Sequence, residues 1–191
     1  MPFLISYSKV NFQLEKWLGY VLGIIWHSII RREGKSVLKR KPMDRFTPST
    51  RISLYLAQKE AERLKHTFIG PEHILVGLSK EKDGTANQML VELGLDEQRL
   101  TNLLEQFTAD YPSGEAELSL SRPTKKLLEH AVDEARRQGS FFIATPHLLL
   151  GVLRGKDTIA AQMIRSVGLD PVKLWQDVRK RVKKYHSAAL R

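Results

Sequence analysis

Phe68-Ile69-Gly70-Pro71-Glu72-His73-Ile74-Leu75-Val76-Gly77-Leu78 is answered 74 residues later by Phe142-Ile143-Ala144-Thr145-Pro146-His147-Leu148-Leu149-Leu150-Gly151-Val152. The offset holds without a gap from Thr50/Thr124 to Leu100/Leu174, and Leu54/Leu128, Ala57/Ala131, Glu60/Glu134, Gly77/Gly151, Met89/Met163, Gly94/Gly168 and Asp96/Asp170 are identical pairs. A fixed-period match of this length is an internal duplication, so whatever one copy forms the other forms too.

Each copy reads as four helices. Thr47-Pro48-Ser49 supplies a hydroxyl cap followed by a proline where no donor is needed. Leu54, Ala57, Ala61 and Leu64 then recur at helical spacing, with alanines that admit a close neighbour; Leu128, Ala131 and Ala135 repeat that face. Gly70-Pro71 starts a second helix, and Thr145-Pro146 is expected to do the same with a better cap. Asp83 and Asp157 are expected to cap a short third helix, which Gly94 and Gly168 close. Asp96, and Asp170 before Pro171, start the fourth. No alternating apolar pattern suggests a strand. A polar linker, Thr108–Ser121 with a Pro112-Ser113-Gly114 turn, joins repeat one (about 46–107) to repeat two (about 120–182). Neither half has enough apolar surface to bury its faces alone, so the two are expected to pack as one all-α, pseudo-twofold bundle spanning 43–182.

The ends differ from this body. The net charge of +10 divides into +6 for residues 1–42 and +6 for 173–191, leaving 43–172 with sixteen basic and eighteen acidic residues. Phosphate binding needs clustered cations, so the division argues against nucleic acid as the partner of the repeats. Residues 183–191 read as a basic tail. In 1–42, the apolar run Trp17–Ile30 spans 14 residues, contains His27 and is followed by a basic flank. It is shorter than the ~17 residues a spanning helix needs, and its charge lies on the wrong side for a secretory signal. Three readings stand: an upstream start, with Met43 as the natural first residue; a segment held at an anionic membrane surface; or an extra helix packed on the body.

The residues point away from catalysis. Gly34-Lys35-Ser36 ends like a P-loop, but Ile29 stands where the first glycine is required. Cysteine is absent, which removes thiol nucleophiles and Cys-ligated zinc and fits a reducing compartment such as the cytoplasm. The six histidines are scattered, no H-E-x-x-H occurs, and no cofactor or metal is expected. His73 and His147 repeat, yet the polar neighbour Glu72 becomes Pro146, which marks them as helix-start and packing residues. Met89 and Met163 read as core filler.

M-D-R-F-T-P-S-T-R from Met43, L-A-Q-K-E-A-E-R-L-K-H from Leu56 and F-I-G-P-E-H-I-L-V-G-L from Phe68 resemble the N-terminal domain of Clp chaperone ATPases, the double Clp repeat, in its ClpC type above all. The resemblance runs from Met43 to about Val182. It implies a non-catalytic module that binds protein substrates or adaptors, with Clp ATPase or Clp protease subunits as partners, acting as adaptor, substrate receptor or regulator. The alternatives are a structural accessory of a Clp protease core and a membrane-tethered interaction module. ClpC-type domains bind phosphorylated arginine, which implies a ligand site at Thr47 and Glu72 and a degenerate second one at Ser121 and Pro146. In the second, the carboxylate for the guanidinium is gone.

Overall fold

The computed structural model describes residues 42–114 and 118–188. The apolar run of the amino-terminal segment lies outside them, and among the described residues no helix is long and apolar enough to cross a membrane. A 3-10 turn, Pro42–Arg45, leads into eight helices: α1 Pro48–Arg63, α2 Pro71–Lys80, α3 Thr85–Glu92 and α4 Glu97–Phe107, then α5 Arg122–Arg137, α6 Thr145–Leu153, α7 Ile159–Ser166 and α8 Pro171–Ala188. The all-α reading and the four-plus-four arrangement stand. Helix α8 runs on to Ala188, past the end expected for the second repeat.

The duplicated stretch forms the centre. Every residue from Pro71 to Ser79 and from Thr145 to Leu153 is buried, which explains why α2 and α6 are apolar nearly all round rather than on one stripe. Helix α2 packs on α6 and α7 of the other repeat, and α3 packs on α6. One continuous core therefore joins Leu54, Ile74, Leu75 and Leu78 to Leu128, Leu149, Leu150 and Ile164, with Met89 and Met163 inside it. Within each repeat the helices approach closely at a glycine. A Cβ on Gly77 would lie 2.2 Å from the Ser53 carbonyl oxygen and 2.8 Å from the Ala57 nitrogen; on Gly151 it would lie 2.5 Å from the Leu127 carbonyl oxygen.

The local punctuation holds in part. Thr47 accepts from the Thr50 N–H at 3.4 Å and Asp96 from Arg99 at 2.8 Å, while Gly94 and Gly168 close α3 and α7 at φ 70° and 82°. Three expectations need correction. Asp83 and Asp157 do not cap the third helices, because each stands one residue too early; the caps are Gly84 and Thr158, whose hydroxyl accepts from the Ala161 N–H at 3.2 Å. Thr145 is not the cap of α6 but its first residue, after Ala144. Its hydroxyl instead accepts from the Ala86 N–H of α3 at 3.2 Å, giving the side-chain-free Gly84 start an oxygen from the other repeat. Third, a two-residue parallel ladder does form, β1 (Phe68–Ile69) with β2 (Ser119–Leu120), and Phe46 makes a matching bridge to Ile143. Pairings this short leave no alternation to read.

The chain leaves α1 through Lys65 at φ 54°, and its counterpart Gly139 has φ 70°. A lysine in the left-handed region is strained where glycine is not, so Lys65→Gly is expected to stabilise the fold by about 0.5 kcal/mol after the entropy glycine costs. A higher urea midpoint at unchanged slope would show it.

Candidate functional site

The short pairings cross the repeats and decide which helix start meets which motif. Thr47, capping α1, donates its N–H to the Ile143 carbonyl at 3.1 Å. Ser121, capping α5, donates its N–H to the Ile69 carbonyl at 3.1 Å, and Thr124 Oγ1 donates to the same oxygen at 2.8 Å. Each hydroxyl therefore stands at the motif of the opposite copy. Thr47 shares an end with Ile143, Ala144 and the Thr145-Pro146 helix start; Ser121 shares an end with Ile69, Gly70 and the helix start that carries Glu72. Thr47 and Glu72 make no hydrogen bond to each other among the described residues. The single retained carboxylate lies at the Ser121 end.

That carboxylate is closed off. Glu72 is 1% exposed, and its side chain folds back over its own helix start, so that a Cβ on Gly70 would fall 1.7 Å from Glu72 Oε1. A negative charge over the first turn of α2 suits the partial positive charge there. The Tyr111 hydroxyl donates to Glu72 Oε1 at 3.0 Å, and burial together with the neighbouring carboxylate pushes that phenol well above its ordinary range. The Tyr111 ring packs against His66 and Phe68, with centroids 5.1 and 5.0 Å away. The linker thus comes back onto repeat one: Ser113 bridges to His66, and the Gly114 N–H donates to the Lys65 carbonyl at 3.0 Å.

Both repeated histidines cap their own helix starts, as a packing and helix-start role requires. His73 Nδ1 accepts from the Gly70 N–H, and His147 Nδ1 from the Ala144 N–H, each at 3.0 Å. A backbone N–H only donates, so the ring proton sits on Nε2 in both. His73 passes it to His66 Nδ1 at 2.8 Å; His147 faces Gln138 Oε1 at 3.3 Å. His66 is held below its ordinary 6.5 by burial first, then by its coupling to His73 and by the charge of Arg63, against an opposing pull from Glu72. A depressed histidine favours folding while neutral: the unfolded chain takes up the proton first, so stability is lost as pH falls below about 6.5. Urea unfolding between pH 7 and 5 should show that decline, and His66→Gln should flatten it.

No group of three or more His, Cys, Asp or Glu that could hold a metal ion occurs among the described residues. Sequence reasoning missed Tyr111 and His66, which lie outside the repeated positions that drew attention.

With this architecture in view, comparison with known proteins is decisive. The sequence profile of the Clp repeat (R) N-terminal domain matches residues 45–167 and 125–189. The chain belongs to the Clp N-terminal repeat family. The negative regulator of genetic competence ClpC/MecB of Bacillus subtilis is 36% identical over 134 residues, 70% of this chain and 16% of that protein. The chloroplastic chaperone ClpC of Pisum sativum is 33% identical over 160 residues, 80% of this chain and 17% of the relative. The chain thus spans about a sixth of the length of these Clp relatives. Among solved structures, the N-terminal domain of ClpD from Arabidopsis thaliana superposes with a TM-score of 0.63 at 22% identity, covering 74% of this chain and 96% of that one. A complex of the ClpV N-domain with a VipB peptide matches at 0.56 and 16% identity, covering 75% and 85%. At these identities the likeness is one of fold.

Proposed function

We propose that this Clp-repeat chain is a non-catalytic adaptor, substrate receptor or regulator of a Clp protease or chaperone machine, working in the cytoplasm. The observation that carries the reading is the family match to both copies of the repeat, on a fold whose copies share one core. That a ClpV N-domain holds a VipB peptide supports protein segments as ligands of this architecture. For phosphoarginine-marked substrates the residues to hold the ligand are Glu72 for the guanidinium and the Ser121 helix start for the phosphate. Tyr111 has to turn away to free the carboxylate. The Thr47 end, where Pro146 stands in place of a carboxylate, is scaffold.

Capture from native lysate on the immobilised full chain should recover a Clp ATPase or protease subunit, with or without recurrent substrates. Recovery of neither contradicts the proposal. Recovery of the protease core that survives Glu72→Ala combined with Ser121→Ala, but fails when another surface is altered, moves the chain to a structural accessory role.

A further inference from the structure

The second repeat carries a cleft lined largely by basic side chains. It lies between α5, the end of α6 and the turn into α7, encloses about 500 Å³, and is lined by Arg122, Lys126, His130, Arg154 and Lys156 against one carboxylate, Asp157. Pro71, Leu127 and Val152 add apolar wall. We propose that this cleft binds an acidic peptide segment, with glutamate or aspartate side chains meeting the cations and intervening apolar side chains meeting the wall.

The repeat supplies the control. Lys80 and Lys82 occupy the positions of Arg154 and Lys156, and both are neutralised. Lys80 Nζ lies 2.6 Å from Glu60 and 3.8 Å from Glu97, and Lys82 Nζ lies 2.6 Å from Glu97. In the second repeat Pro171 replaces Glu97. Glu134, the counterpart of Glu60, turns instead to Arg137 at 3.9 Å and Arg179 at 3.3 Å. Arg122, Lys126, Arg154 and Lys156 therefore form no ion pair among the described residues, and Arg154 Nη1 is buried without a hydrogen-bond partner. Lys126 stands where repeat one has Ile52, so that cation belongs to this copy alone. The field is felt locally: besides burial, Arg154 and Lys126 help hold His130 below its ordinary range. Unpaired cations gathered at one cleft, with Arg154 partly buried among them, attract an incoming carboxylate and set its register.

A peptide fits better than a nucleic acid or a membrane. Both of those present extended negative surfaces, whereas the body around the cleft, 43–172, carries eighteen acidic against sixteen basic residues and repels them. The cleft adjoins the phosphoarginine end through Pro71, Arg122 and Pro123, but neither Glu72 nor Ser121 lines it.

The test is fluorescence anisotropy on the full chain with a labelled ten-residue peptide alternating glutamate and leucine, beside its glutamine counterpart. Lys126→Glu with Lys156→Glu should weaken binding of the glutamate peptide at least tenfold. Lys82→Glu with Lys173→Glu, the same charge change outside the cleft, should alter it less than twofold, and circular dichroism confirms that both variants are folded. Equal losses from the two pairs, no loss from the cleft pair, or equal binding of the glutamine peptide each overturns the proposal. So does a single-stranded oligonucleotide or a phosphatidylserine vesicle that binds the cleft more tightly than the peptide.

Discussion

Gly77→Ala is expected to destabilise the fold by about 3 kcal/mol, at the upper end of what overpacking costs. The new methyl would stand 2.2 Å from a backbone carbonyl oxygen of α1 and 2.8 Å from a backbone nitrogen. Neither can swing aside as a flexible side chain would, so α1 and α2 must separate, and every buried contact between them loosens. The gain in helix propensity of about 1 kcal/mol offsets only part of this. Gly151→Ala should follow in the same direction with a smaller loss, because its tightest contact is 2.5 Å and the next is 3.3 Å. Urea unfolding of the two variants should rank them in that order. A loss below about 1 kcal/mol for Gly77→Ala would mean that the two helices do not depend on this close crossing.

His73→Ala is expected to cost about 3 to 4 kcal/mol, from a cavity in a fully buried site and from leaving the Gly70 N–H without its acceptor. The ring is 0% exposed and links the start of α2 to His66, so both ends of the bridge are lost together. His147→Ala should cost about 1 kcal/mol less, since its outer nitrogen meets Gln138 at a longer 3.3 Å and the ring is marginally exposed. Urea unfolding at pH 7.5, above the titration of His66, isolates this effect. If His73→Ala unfolds at the wild-type midpoint while ligand capture fails, the repeated histidine belongs to recognition and not to the fold.

What was legible in the sequence follows from how far each interaction reaches. The duplication, the eight helices, the Thr47 and Asp96 caps and the Gly94 and Gly168 closures depend on residues within a turn of one another, and a single chain displays them. The Thr145 hydroxyl was misassigned because it serves Ala86 of the other repeat, a bond between residues 59 apart. The cross-repeat pairings are of the same kind: the ladders carry Ser121 to Ile69 and Thr47 to Ile143, an exchange that spacing within either copy does not reveal. The replacement of Glu72 by Pro146 was visible. That Tyr111, in a linker read as a polar spacer, covers Glu72 was not. The basic cleft escaped notice because its cations are scattered along three elements, and because the formal charge of the body is slightly negative.

The exchange of partners between the repeats, with one end retaining a carboxylate, is tested most directly by calorimetric titration of free phosphoarginine into the full chain and its Glu72→Ala, Ser121→Ala and Thr47→Ala variants. One site is predicted, abolished by Glu72→Ala, weakened by Ser121→Ala and left within twofold by Thr47→Ala. Two equal sites, or a single site that fails with Thr47→Ala and survives Ser121→Ala, would contradict it.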